Sequence, residues 1–319
     1  WIALFVFVNL TTVMFLGAKA LDTIWGNGDG SLLFLAMVGL ALIAAAYSLY
    51  GGLSAVAWTD VIQVALLVIG GIITTIIALD KVTPDGGIFR GIAYVYDVAG
   101  DKFHMILSRD NPEFGNLPGI AVLVGGMWVA NLYYWGFNQY IIQRTLAAKS
   151  LAESQKGMVF AAFLKLIIPF IVVIPGIVAY VMYVQPEGNA AIAGVTEALT
   201  KADGSVNNDN AYPWLISQFL VPGVKGLVVA ALAAAIVSSL ASMLNSVATI
   251  FTMDIYRPYF NPQATDKKTV NIGRLTAGVA LIVAIIIAPF LDNVGQVFQY
   301  IQEYTGLVSP GILAVFMLG

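Results

Sequence analysis

Apolar residues in this chain follow neither the alternation of a half-buried strand nor the stripe of a surface helix; they come in long, almost unbroken runs. Eight runs exceed the roughly 18 residues needed to cross a hydrocarbon core about 30 Å thick. They cover 1–25, 31–50, 54–79, 118–142, 157–183, 223–252, 272–290 and 294–319, and each is bounded by Gly, Pro, Asn or Asp. Backbone groups inside lipid have few waters to bond, so these runs are predicted as helices. The roughly ten-residue alternating segments of a β-barrel are not seen.

Composition sharpens this picture. Of the 319 residues, 59% are hydrophobic and 10% charged, with a mean hydropathy of +0.86. A soluble domain carries about 25% charged residues, so too little polar surface exists here to cover a water-exposed globule. The expectation is an all-α integral membrane protein with about eight transmembrane helices. The chain has no cysteine and one histidine, His104. Disulfides, thiolate metal centres, iron–sulfur clusters and a cysteine nucleophile are thereby excluded, as is a histidine metal cluster. The 15 basic residues stand singly and the formal charge is −3, which gives no nucleic-acid footprint. With no plausible nucleophile–base pair, an enzyme is not expected.

Orientation follows from Lys and Arg in short loops. Residues 143–156 hold Arg144, Lys149 and Lys156, and 253–274 hold Arg257, Lys267, Lys268 and Arg274. Both are predicted cytoplasmic. The connections 80–117 and 184–222 mix basic residues with Asp85, Asp97, Asp101, Asp110, Glu113, Glu187, Glu197, Asp203 and Asp209, and are predicted external. Within the first, 86–99 reads as a short amphipathic helix, packed or lying on the outer surface. Trp1 opens straight into an apolar run and Gly319 closes one, so the chain reads as an internal portion of a longer protein, without a signal peptide. GNGDG at 26–30 lacks the strand that a nucleotide loop needs and is predicted as a turn.

Polar residues inside a span are costly, so each is a candidate for function. The fourth run turns abruptly from apolar to amide-rich and aromatic at Asn131, Tyr133, Tyr134, Trp135, Gly136, Asn138 and Gln139. Two readings fit: a helix break near Gly136 that turns backbone groups toward a cavity, or an interfacial aromatic belt. Lys165 lies about 12 Å inside the fifth span at 1.5 Å per residue, either snorkelling or facing a cavity, with Pro169 and Pro175 following. In the sixth span Ser238 and Ser239 offer paired oxygens to a hard cation, within a small-residue face, Ala231, Ala234, Ala235, Ser238, Ser242 and Ser246, that equally suits close helix packing. The eighth span opens with Phe298, Gln302 and Thr305 on one face, either a solute vestibule or a frayed end. Asp60, about 10 Å into the third span, either attracts a cation or pairs with a neighbour.

The stretches YSLYGGLSAVAWTDVIQ, NLPGIAVLVGGMWVANLYYWGFNQYIIQRTLAAKS, AALAAAIVSSLASMLNSVATIFTMDIY and FQYIQEYTGLVSPGILAVF closely resemble the sodium/solute symporter family. The resemblance covers nearly the whole chain. It implies part of a five-plus-five inverted-repeat, LeuT-like transporter core. Residues 1–79 would be core helices three to five, 80–117 an external loop, and 118–319 the complete second repeat. It also implies sodium-coupled uptake of a hexose such as galactose or glucose across a bacterial inner membrane, with Na+ as coupling ion and no other cofactor. By the same resemblance Asn131, Lys165 and Gln302 would bond sugar hydroxyls. Tyr134 would be the inner gate, with Trp135 beside it, and Phe298 part of the outer gate. Ala235, Ser238 and Ser239 would hold sodium, Ala235 through its carbonyl, and Asp60 would lie on the sodium exit route. The family also carries proline, pantothenate and sialic acid, and a channel or a non-transporting sensor is the rival of another class.

Overall fold

The computed structural model describes residues 1–319 apart from 27, 49–51, 116–118, 186–191, 193, 202–203 and 295; the side chains of 52–56 and 112–113 also lie outside the description. The described residues are overwhelmingly helical and form no strand. Six helical stretches are long and apolar enough to cross a membrane: Leu4–Trp25, Ala57–Lys81, Leu151–Val184, Pro222–Phe260, Asp266–Asn293 and Val297–Leu318. The other two apolar runs are a shorter helix, Leu33–Ala46, and a broken one at 122–146.

In chain order the helices are α1 (Thr11–Trp25), entered through wide turns at Leu4–Leu10, α2 (Leu33–Ala46), α3 (Gly52–Lys81) and α4 (Ile88–Ala99). Then come α5 (Met127–Phe137), α6 (Gln139–Leu146), α7 (Leu151–Lys165), α8 (Ile168–Val184), the single turn α9 (Val195–Ala198) and α10 (Ala211–Phe219). The chain ends with α11 (Pro222–Ile250), prolonged by wide turns to Phe260, α12 (Asp266–Ile287) and α13 (Val297–Leu318).

Packing separates two compact units, Trp1–Ile73 with Gly204–Ile301, and Thr74–Asp203 with Gln302–Gly319. In the first unit α1 and α11 form the core, packed against α2, α10 and α12. Phe5, Met14 and Phe15 are fully enclosed, as are Leu240, Leu244 and Val247 of α11. Small residues permit this close approach, as expected where helices associate by contact rather than by hydrophobic expulsion. A methyl group on Gly17 would come within 2.7 Å of Ile236 and 3.3 Å of Leu40.

In the second unit α4 packs on α8, and Gly91, Val95 and Ala99, spaced four apart, form its buried face, while Phe89, Ile92 and Tyr96 remain exposed. Residues 88–99 are therefore a packed loop helix. The Thr75 hydroxyl donates to the Phe170 carbonyl at 3.0 Å, tying α3 to α8. Between α7 and α8 the helix is interrupted at Leu166 and Ile167, and the cause is covalent. Pro169 has no N–H for the Lys165 carbonyl four residues back, so α7 ends at Lys165 and α8 starts with Pro169 in its first turn.

Candidate functional site

The fourth apolar run breaks, two residues beyond Gly136. Asn138 adopts an extended conformation, φ −80° and ψ 114°, between the end of α5 and the start of α6. Its carbonyl accepts from the N–H groups of Ile141 and Ile142, both at 3.0 Å, which begins α6. The side chain of Asn138 is 1% exposed, makes no cap to α6, and its Oδ1 has no hydrogen-bond partner among the described residues.

Aromatic side chains gather around this break. Tyr134 and Trp135 meet edge-on with ring centroids 5.1 Å apart. The Tyr134 hydroxyl lies 2.5 Å from that of Tyr140, across the break. The Lys165 ammonium, at the end of α7 where Pro169 interrupts the helix, sits 3.9 Å from the centroid of the Trp135 ring. That distance is well within cation–π range. Asn131, one turn before Trp135, turns its Nδ2 to the Met127 carbonyl at 2.8 Å and is otherwise exposed. On α13, Gln302 is exposed, and the Phe316 ring further along stacks on Phe137 at 4.9 Å. Among the described contacts none joins Gln302 to Asn131 or Lys165.

The cation candidates lie in the first unit. Ala235, Ser238 and Ser239 are on α11, and Ser238 is buried while the other two are half-buried. The Ser238 hydroxyl donates to Oδ1 of Asp60 on α3. Asp60 thus has a polar neighbour on α11. Down the same face the Ser242 hydroxyl donates to the Ser238 carbonyl at 2.8 Å, and Ser246 to the Ser242 carbonyl at 3.0 Å. The helix runs unbroken through Ala235. Its carbonyl is accordingly an acceptor in the helical ladder, with one lone pair left for a cation. Near α2 the Ser48 hydroxyl donates to Oδ1 of Asn245 at 2.7 Å.

Phe298, in the first turn of α13, is 57% exposed, and its neighbour Val297 donates its N–H to Oδ2 of Asp209 at 3.4 Å. Asn210 meets the Thr23 hydroxyl at 3.2 Å, so the 208–210 turn touches both the end of α1 and the start of α13. Asp22 organises the turn at Gly30–Leu32. Though buried at the end of α1, its two carboxylate oxygens accept from the N–H groups of Gly30 and Leu32, each at 2.9 Å. In the same turn the Ser31 side chain, and then its backbone N–H, hold the exposed Asp29 carboxyl below the usual carboxylate range.

Asp22, Asp209 and Tyr140 were not singled out from the sequence as site residues. An acid at the end of an apolar run before a glycine-rich turn was the available signal for Asp22. The other two pair through contacts that no local pattern announces.

A description of the sodium:solute symporter family matches residues 1–319. A sodium/glucose cotransporter of Vibrio parahaemolyticus is 62% identical over 319 residues, covering 100% of this chain and 58% of that protein. Sodium/myo-inositol cotransporter 2 of Bos taurus is 33% identical over 337 positions, covering 100% of this chain and 48% of that protein. A solved structure of the substrate-bound outward-open state of a Na+-coupled sialic acid symporter superposes with a TM-score of 0.74 at 26% identity, covering 99% of this chain and 61% of the other. The chain spans about half the length of the curated relatives it matches.

Proposed function

Because this chain belongs to the sodium:solute symporter family, we propose that the protein carrying it couples Na+ entry to uptake of a hexose, galactose or glucose, by alternating access. One observation carries the reading: 62% identity, along all 319 residues, to a sodium/glucose cotransporter. The multi-pass helices are those of a membrane transporter, and the bacterial source of that relative favours the inner membrane. The chemistry is carriage; no covalent bond is made or broken, so the protein is read as a carrier and not an enzyme.

Residues 1–79 supply core helices three to five, 80–117 the external connection, and 118–319 the second repeat. Asn131, Lys165 and Gln302 bond sugar hydroxyls: two amides and an ammonium offer donors and acceptors to a neutral polyol, whose own hydroxyls do both. Trp135 supports this set, since its ring faces the Lys165 ammonium at 3.9 Å and fixes where that cation sits. Tyr134 closes the inner side of the solute site and Phe298 belongs to the outer gate.

Na+ is the coupling ion, held by the Ser238 and Ser239 hydroxyls and the free lone pair of the Ala235 carbonyl. Ser238 donates its hydrogen to Asp60, which leaves its lone pairs for a cation and increases their electron density. When Na+ leaves, the Asp60 carboxylate draws it inward. Each ligand favours the state that the other prefers, and such coupling amounts to about 1–3 kcal/mol in typical cases.

The test is uptake of radiolabelled galactose by the complete gene product in proteoliposomes, with and without an inward sodium gradient, competed by glucose, myo-inositol, sialic acid and proline. Sodium-dependent uptake blocked by glucose supports the reading. Uptake blocked by proline or sialic acid but not by glucose assigns another solute, and sodium-independent uptake removes the coupling.

A further inference from the structure

Tyr134 and Tyr140 belong to different helices. Tyr134 lies on α5, Tyr140 is the second residue of α6, and the chain between them changes direction at Asn138. Their hydroxyls are 2.5 Å apart, and their rings meet edge-on with centroids 6.2 Å apart and an interplanar angle of 80°. The hydrogen bond thus spans the break and ties the side chain of one half-helix to the other. Two half-helices joined at a single extended residue are free to change their relative angle unless something fixes it. Asn138 does not supply the tie through its side chain, which neither caps α6 nor finds a partner for Oδ1 among the described residues. The hydroxyl pair does supply one, at Tyr134, the proposed inner gate.

We propose that Tyr140 is a positioning residue for the inner gate: its hydroxyl holds Tyr134 in the closed orientation, and this bond opens when solute is released inward. The inference rests on the sugar-symport reading. In the closed state the bond fixes both the Tyr134 rotamer and the angle of α6 on α5, and it favours solute retention. Loss of the hydroxyl therefore loosens the gate without removing an aromatic surface.

The experiment uses the complete gene product in proteoliposomes, with galactose as solute and Na+ as driving ion. It compares the unsubstituted protein with Tyr140→Phe, Tyr134→Phe and the double variant. Each substitution keeps the ring and deletes only a hydroxyl. The expected result is a rise in the galactose KM of about 3- to 10-fold for Tyr140→Phe, the range given by loss of one neutral hydrogen bond, with kcat unchanged or raised. The double variant should be no worse than the more affected single one, because both delete the same bond. A Tyr140→Phe protein with the original KM overturns the latch, and so does a double variant whose effect is the product of the two singles. Should Tyr140→Phe give no monodisperse protein, Tyr134→Phe reads the same bond from its other end. Absence of sodium-driven galactose uptake in the unsubstituted protein is a different failure, which removes the symport reading and the latch with it.

Discussion

Ser238 of α11 donates its hydroxyl hydrogen to Oδ1 of Asp60 on α3, joining residues 178 apart in the chain. A serine whose hydrogen is committed to a carboxylate has only acceptor lone pairs left, which is the state a cation requires. Asp60→Asn keeps an acceptor for that hydrogen but removes the charge that polarises the hydroxyl. Its sodium concentration for half-maximal uptake should rise about tenfold, the equivalent of roughly 1.4 kcal/mol. Ser238→Ala, which deletes the ligand itself, should exceed that, and Ser239→Ala should also reduce sodium dependence. Sodium activation curves in proteoliposomes check all three, and unchanged curves would remove these residues from the sodium path.

Lys165 over Trp135 predicts a graded series. Lys165→Ala and Gln302→Ala should weaken galactose uptake severely while membrane insertion is retained, since each removes charged or amide partners that contribute about 1–3 kcal/mol apiece. Trp135→Leu should weaken uptake less, by the roughly 0.5–2 kcal/mol of a cation–π contact. Uptake measured against the amount of protein in the membrane separates the cases. Equal effects for Trp135→Leu and Lys165→Ala would show that the ring does more than place the ammonium.

Asp22 predicts a stability effect at a turn. Both of its oxygens accept backbone N–H groups, from Gly30 and Leu32. Asparagine has one oxygen, so Asp22→Asn leaves one of these donors facing an NH2 group, a cost of about 1–3 kcal/mol. Hydrogen exchange at the Gly30 and Leu32 amides should quicken and the melting temperature in detergent should fall. Unaltered exchange at both amides would contradict the proposed bonds.

Gly91 predicts a packing effect. A Cβ at that position would lie inside the van der Waals envelope of the Leu79 carbonyl oxygen, a backbone atom that cannot turn aside, whereas one at Gly100 meets nothing within 4 Å. Gly91→Ala should lower the melting temperature by several degrees, while Gly100→Ala leaves it essentially unchanged. Similar melting curves for the two variants would refute the close approach of α4 to α3.

The helical membrane architecture was legible in the sequence because its signal is additive: long apolar runs leave little choice of structure in lipid. The interruptions were less so. Pro169 announces the end of α7 by its missing N–H, but the fourth span breaks at Asn138 rather than at the more conspicuous Gly136. A second run yields only a fourteen-residue helix, Leu33–Ala46, with 49–51 outside the described residues. Polar residues within spans could be nominated one at a time, as Asn131, Lys165, Ser238, Ser239, Gln302 and Asp60 were. Their partners could not, since Asp60 with Ser238, Trp135 with Lys165 and Tyr134 with Tyr140 depend on helix rotation and tilt. Those are set by packing at residues such as Gly17 and Gly91, whose role is invisible until the neighbouring helix is in place.

Coupling itself is tested most directly by following radiolabelled sodium and radiolabelled galactose together in proteoliposomes holding the complete gene product. The account predicts that an outward-to-inward sodium gradient drives galactose above its equilibrium level, and that a galactose gradient alone drives sodium inward in fixed proportion to the sugar. Sodium and galactose fluxes that vary independently would contradict it.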